Sequence, residues 1–196
     1  MGYKIHPAAV IGWSWIFPEM LVMGAQSQIG TLTLCKGLRL LELGEHSQIG
    51  RLTWITGFPP GAPGYFQGIQ RDPKLVLGRH SSITNRHLID CTDSITIGDF
   101  TTVGGFCSQL LTHSVNFELN RQDCRPIHIG NYSFVGTNAV LLGGAVLPDY
   151  SILSAKSLLN KPLQESHWLY GGVPAAPLRS LPRDYAYFNR DSGLVY

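Results

Sequence analysis

Seven histidines occur in the chain, and His113 stands apart from the other six. It opens the stretch "HSVNFELNRQDCRP", where charged and polar residues interrupt an otherwise regular pattern of aliphatic and small side chains. Imidazole titrates near neutral pH, so a histidine held in a loop can take a proton from a hydroxyl or amine and return it. Two more residues break the pattern nearby: His87 and Asp93 occupy positions that elsewhere hold a small side chain. A carboxylate beside an imidazole fixes its tautomer and steadies the imidazolium. Asp93, or Glu118 within the irregular stretch, is therefore expected to orient His113, although Asp93 is equally suited to capping the backbone of a corner. The alternative role for His113 is a plain hydrogen bond to a loop carbonyl. Zinc chemistry is a further alternative through His80, His87 and His113. Metal ligands must converge within about 2.1 Å of one ion, and His80 and His87 fall in different repeats of one turn of chain, so no metal is expected.

The elements that must position these groups repeat every six residues. From Ile129 the steps reach Val135, Leu141, Leu147, Leu153 and Leu159, all aliphatic. Leu77, Ile83 and Ile89, then Ile97 and Val103, form an earlier run; Leu43, Ile49, Ile55 and Met23, Ile29 form others. Glycine often follows the aliphatic residue, and a small residue often stands four places after it, as in Ser27, Thr33, Ser47, Thr101, Cys107 and Ser133. A period of six fits neither a 3.6-residue helix nor a hairpin. It fits a strand rung plus a tight corner, with the aliphatic residue inside and glycine supplying unusual backbone angles. Met23 to Leu43 and Leu77 to Ile97 each span three hexads plus two residues, so one coil is three hexads. A parallel β-helix is the expected fold, all-β, rather than a sandwich.

Composition agrees. The 196 residues include 22 glycines and only 14% charged residues, against about 25% in an ordinary soluble domain. A net charge of +2, with no basic stripe, gives no reason to expect nucleic acid as a partner. The opening "MGYKIHPAAVIGWSWIFPEM" has no long apolar run, and no transmembrane segment is expected. Cys35, Cys91, Cys107 and Cys124 form no CxxC pair and read as reduced thiols of a cytoplasmic protein.

The chain is expected to form one β-helix domain over residues 1–180, with ejected loops at 58–74 and 113–126 and a short helical C-terminal extension at 181–196. In that extension Tyr185 and Phe188 are spaced like one amphipathic face.

The last third, "RPIHIGNYSFVGTNAVLLGGAVLPDYSILSAKSLLNK" followed by "GGVPAAPLR", resembles the hexapeptide-repeat acyltransferases that include the maltose, galactoside and xenobiotic O-acetyltransferases. The resemblance runs from about residue 23 to 180. It implies a left-handed helix, where the general preference for right-handed crossovers points the other way. It also implies a homotrimer with active sites between subunits, acetyl-CoA as acyl donor, and a histidine base that lets the acceptor attack the thioester directly. By the same resemblance His113 is the catalytic base and Asn85 contacts the acceptor. Thr137 lies near the thioester carbonyl, Ala155 offers backbone groups to the pantetheine arm, and Asn160, Lys161 and Arg179 face the nucleotide end. The chain departs from the pattern at Phe134, where the family has tryptophan, and at Ala176, where a second basic residue is common.

The expected activity is O-acetylation of a sugar or polysaccharide precursor. Tyr65, Phe66 and Gln67 in the first loop combine ring stacking with amide hydrogen bonding, a pairing that suits sugars. Two other readings are compatible with the residues: a non-catalytic β-helix scaffold, and a zinc enzyme like the γ-class carbonic anhydrases, which share the fold.

Overall fold

A computed structural model describes residues 2–59, 61, 65, 66, 68–193 and 195. Gln67, one of the three residues expected to read a sugar, lies outside the described residues. The hexads fold into short strands stacked as three parallel sheets. The first sheet stacks Gly2–Ile5, Met20–Met23, Leu40–Leu43, Lys74–Leu77, Ile95–Ile97, Ile127–Ile129 and Val146–Leu147. The second stacks Val10–Ile11, Gln28–Ile29, Gln48–Ile49, Ser82–Ile83, Thr102–Val103, Phe134–Val135 and Ile152–Leu153. The third stacks Trp15–Phe17, Leu34–Lys36, Trp54–Thr56, Leu88–Asp90, Gln109–Leu111, Val140–Leu142 and Leu158–Leu159. The chain visits the faces in turn, so three strands and three corners make one coil of a triangular prism. Trp168–Gly172 adds one more rung to the second face, and Ala175–Ser180 folds back antiparallel upon it.

The period-six side chains fill the prism. Ile29, Ile49, Ile83, Val103, Val135 and Leu153 line the second face from inside, all at or below 2% exposure, each contributing about 1.5–3 kcal/mol of burial. The small corner residues have a second duty. Thr101 Oγ1 donates to the carbonyl of Gly130 at 2.6 Å and accepts from the Ser133 amide at 3.0 Å. Ser133 Oγ repeats the pattern, donating to the Pro148 carbonyl at 2.8 Å and accepting from the Ser151 amide at 3.2 Å. Buried corner groups are thereby satisfied rung to rung, which alanine could not do. The corner after the third face carries the two extra residues of the longer coils.

At the first corner, between the first and second faces, a left-handed residue recurs in every coil from the second onward. Six of these are aromatic and stack as a ladder: His46, His80, Phe100, Tyr132, Tyr150 and His167. Centroid steps run from 4.7 to 5.3 Å with planes within 16°. The C-terminal extension lies along this ladder. Its helical content is one 3₁₀ turn, Ala186–Asn189. Phe188 is buried edge-on against Tyr150 and His167, while Tyr185 remains 38% exposed. The Arg190 guanidinium lies 3.8 Å over the Tyr187 ring and donates to the carbonyl of Phe100.

One coil is a residue longer than the hexad count. Gly105 and Cys107 both have positive φ, and the step from Val103 to the next inward residue is seven, ending at Leu110 rather than Gln109. Ser108, not Cys107, fills the small corner: Ser108 is wholly buried and Cys107 exposed. Leu88 pairs with Gln109 and Asp90 with Leu111. Leu110, Leu111 and the start of the stretch that follows, His113 included, sit one position from where the hexad count puts them, and the count is regained at Ile129. No helix among the described residues is long and apolar enough to cross a membrane.

Candidate active site

Both ejected loops leave the same corner, the one after the third face. The first leaves after Thr56 in the third coil and the second after Leu111 in the fifth. Only the corner Cys91–Ser94 of the fourth coil lies between them, so the loops close on each other. The second loop is a β-hairpin, His113–Asn116 paired with Arg121–Cys124. His113 stands at its base, and Glu118 lies in the turn at the opposite end. Glu118 therefore does not orient the histidine.

The His113 ring is enclosed on three sides. Phe58 and Phe66 of the first loop present edges to it, with centroids at 5.6 and 5.4 Å. Arg71 holds those phenylalanines in place. Its guanidinium donates to the carbonyls of Phe58 at 2.6 Å, Pro59 at 2.7 Å and Thr92 at 3.1 Å, and lies 4.7 Å over the Phe66 ring. From the hairpin, Gln122 Oε1 lies 2.5 Å from His113 Nε2. With that oxygen as acceptor, the ring proton sits on Nε2 and Nδ1 carries the lone pair. Nδ1 faces Asp90 Oδ2 at 3.8 Å.

The carboxylate facing His113 is thus Asp90, and the expectation for Asp93 is corrected. Asp93 is buried, and its Oδ1 accepts from the backbone amides of Asp72 at 3.1 Å and Ser94 at 2.7 Å. It ties the returning end of the first loop to the corner. The extra residue at Gly104–Gly105 pairs Asp90 with Leu111, and the turn from Leu111 into the hairpin brings the His113 ring back over the outward-facing Asp90 side chain, while the Asp93 carboxylate is spent on corner amides. Asp90 itself is braced by Thr92, whose amide and hydroxyl reach Oδ1 at 2.9 and 2.6 Å. Lys36, Thr56, Gly57, Phe58, Asp90 and His113 together line an open cleft of about 420 Å³. Lys36, Thr56 and Asp90 form one outward column on consecutive rungs.

His87, the other pattern-breaker, takes no part in the cleft. It is wholly buried, with Nδ1 accepting from the Ser108 amide at 3.2 Å and Nε2 bonded to Thr84 Oγ1 at 3.0 Å. Desolvation pushes its pKa down to about 4. His80 belongs to the aromatic ladder. The three histidines weighed as a zinc set occupy separate places.

Of the residues expected to meet acceptor and CoA, Asn85, Thr137 and Ala155 lie elsewhere, at the second corner, between the second and third faces. Asn85 Oδ1 accepts from the Arg51 amide at 3.0 Å. Thr137 Oγ1 accepts from the Phe106 amide at 3.1 Å and donates to its carbonyl at 3.0 Å, bracing the extra-residue corner from the next rung. Ala155 follows one rung on, exposed, and packs against Gly136. Asn160 and Lys161 lie exposed at the end of the last third-face strand, and Arg179 is exposed on the closing antiparallel strand. Thr137 and His113 are separated by a full third-face strand, roughly 10 Å of chain at about 3.3 Å per residue.

No family model matches the chain and no curated protein matches its sequence. Solved structures do. A hexapeptide-repeat-containing acetyltransferase from Vibrio cholerae O1 biovar eltor, complexed with acetyl coenzyme A, is 26% identical over 72% of this chain and 71% of its own, with a TM-score of 0.60. The chain is similar in sequence and fold to the hexapeptide-repeat acetyltransferases. Its prism is the left-handed parallel β-helix of that family. A maltose O-acetyltransferase from Clostridium difficile 630 shares the fold at 15% identity over 72% and 70% of the chains, TM-score 0.58. So does an N-acyltransferase from Bacillus cereus in complex with dTDP and coenzyme A, at 13% identity over 83% and 88%, TM-score 0.59. His113 was legible from sequence as the candidate base. Asp90, Gln122 and Arg71 were not legible as its neighbours, because each is brought to His113 by loop and hairpin packing.

Proposed function

We propose that this acyltransferase moves an acetyl group from acetyl-CoA to a hydroxyl of a saccharide acceptor, with His113 as general base. The observation that carries the proposal is the enclosure of His113 by both loops, with Nδ1 turned toward Asp90 and the open cleft. Nδ1 takes the proton from the acceptor hydroxyl as its oxygen attacks the thioester carbonyl. The new C–O bond forms, the C–S bond breaks, and the imidazolium returns the proton to the departing thiolate. Gln122 holds the Nε2 proton, and Asp90 stabilises the imidazolium through space. Asp93 acts through the loop it anchors, as a positioning residue.

CoA runs along the second corner. Thr137 and the adjacent backbone amides face the thioester oxygen, Ala155 offers its backbone to the pantetheine arm, and Asn160, Lys161 and Arg179 face the phosphates. Asn85 meets the acceptor. Within one chain the second corner and His113 are on opposite edges of the third face, so the site is completed by another copy: His113 of one subunit meets the second corner of the next. A homotrimer satisfies this with three equivalent sites. The outward column Trp15, Leu34, Trp54 and Leu88 on the third face supports it, with Trp54 56% and Leu88 47% exposed, an apolar stripe suited to burial between copies. Such an enzyme acts in the cytoplasm, where acetyl-CoA is made.

The test is thiol release from acetyl-CoA with a panel of saccharides, comparing wild type with His113→Ala. Turnover that survives the substitution rules out the base; thermal indifference to acetyl-CoA returns the chain to the scaffold reading.

A further inference from the structure

A second cleft, of about 500 Å³, opens on the second corner, N-terminal to Thr137. Arg51, Asn85, Arg86 and Phe106 line it with Thr31. The two arginines leave neighbouring coils whose backbones are bonded directly, Arg86 N–H to the Arg51 carbonyl at 3.0 Å. Among the described residues no carboxylate lies within 4.0 Å of either guanidinium. Two like charges on adjacent rungs repel each other, and nothing in the wall compensates them. Asn85 Oδ1 is committed to the Arg51 amide, which leaves its NH₂ as a donor toward the cleft. Phe106, 60% exposed, adds a ring face beside them.

This cleft lies on the column that carries Thr137 and Ala155. If CoA occupies the C-terminal coils, the acceptor must approach from the N-terminal side, across Phe106 and Asn85 toward Arg86 and Arg51. Arg51 is three rungs from Thr137, roughly 14 Å at about 4.8 Å per rung. A single neutral sugar neither spans that distance nor uses two guanidinia. We propose that the acceptor is an extended anionic saccharide whose carboxylate or phosphate is held by Arg51 and Arg86 while a hydroxyl two to three rungs away meets the thioester. Planar guanidinia match both anions with paired hydrogen bonds. The shared chemistry covers an oligosaccharide of sugar acids and a nucleoside-diphosphate sugar. This inference rests on the acetyl-transfer reading.

The experiment compares four acceptors with the full-length protein: a neutral oligosaccharide, an oligohexuronate of equal length, a nucleoside-diphosphate hexose and a monosaccharide. Thiol release from acetyl-CoA is the readout. One or both anionic acceptors should exceed the neutral one in kcat/KM by roughly 10–100-fold, and which of the two does so distinguishes carboxylate from phosphate. R51Q and R86Q should raise KM for the anionic acceptor about 10-fold each, leaving KM for acetyl-CoA unchanged. K4Q, which removes one positive charge at the far end of the prism, should change neither. Equal rates on neutral and anionic acceptors, or a rise in KM for acetyl-CoA in the arginine variants, overturns the proposal. Thermal shifts by the same ligands separate it from the activity. A shift by an anionic ligand that R51Q and R86Q abolish, with no thiol released from any acceptor, keeps the anion site and removes the transferase reading. Absence of any arginine-dependent shift removes the site.

Discussion

His113 Nδ1 and Asp90 Oδ2 face each other at 3.8 Å across the mouth of the cleft. That separation is too long for a hydrogen bond and leaves the carboxylate facing the ring through space. Replacing Asp90 by Asn removes the charge and keeps the shape. Asp90→Asn should lower kcat by about 10–100-fold with KM for acetyl-CoA unchanged, whereas His113→Ala should cost about 10²–10⁴-fold. Steady-state rates with acceptor and acetyl-CoA varied in turn check this. An unchanged kcat would make Asp90 a structural residue only.

Arg71 supports the same cleft from behind. Its three bonds to loop carbonyls and its place over Phe66 hold Phe58 and Phe66 against the imidazole. Charge-assisted bonds of this kind contribute about 1.5–3 kcal/mol, and here they are spent on loop geometry. Arg71→Met keeps the stem and loses the bonds. KM for the acceptor should rise about 10-fold, with a smaller fall in kcat. A thermal-melt control checks that the prism itself is intact, since the core residues lie elsewhere.

The period of six, the inward aliphatics and the small corners were all legible, because each hexad obeys the same local rule. The site was legible only in part. His113 announced itself by standing at a break. Asp90 did not, because a single extra residue at Gly104–Gly105 pairs it with Leu111, a glycine pair reads equally well as an ordinary corner, and the turn into the hairpin that brings His113 back over Asp90 is a tertiary feature. The exposed Cys107 and buried Ser108 are the trace of it: the serine that bonds along the stack sits one place after the cysteine. The aromatic ladder was written in the sequence as a residue two places after each glycine, in Gly44–His46, Gly78–His80, Gly98–Phe100 and Gly130–Tyr132. Its signal was hidden by mixing imidazole with phenyl rings. That the two loops would enclose one histidine follows from their leaving the same corner, which no count of hexads displays.

His87 makes the fold sensitive to acid. In the folded chain its buried imidazole stays neutral down to about pH 4, while in the unfolded chain it takes a proton near 6.5. Between those values unfolding binds a proton, so stability falls as pH drops from about 6.5 to 4 and levels off outside that window. The difference amounts to roughly 3 kcal/mol in all. Denaturant midpoints at pH 7, 5 and 4 measure it. His87→Gln, whose amide oxygen can still accept from the Ser108 amide, should show a pH slope smaller by one proton, whatever its stability at pH 7. An identical slope would assign the acid sensitivity to other groups.

Placing His113 and the second corner on opposite edges of one face makes a prediction about mixed assemblies. His113→Ala removes the proposed base and leaves the second corner whole. Ala155→Trp adds bulk to an exposed corner position on the proposed CoA path and leaves His113 whole. Each variant alone should be inactive. Co-expressed in equal amounts, they should, in the proposed trimer, give an intact site only where His113 comes from an Ala155→Trp subunit and the second corner from a His113→Ala subunit. Random assembly gives about a quarter of the wild-type sites, if each site draws on two neighbouring copies. A site built within one chain gives none at any ratio. Placing a charge in the apolar stripe, as in Trp54→Glu, should break the assembly and the activity together, read by light scattering and thiol release on the same sample. Activity in a monomeric Trp54→Glu protein would place the whole site in one chain, and the roughly 10 Å strand between Thr137 and His113 would then have to be bridged by motion of the hairpin.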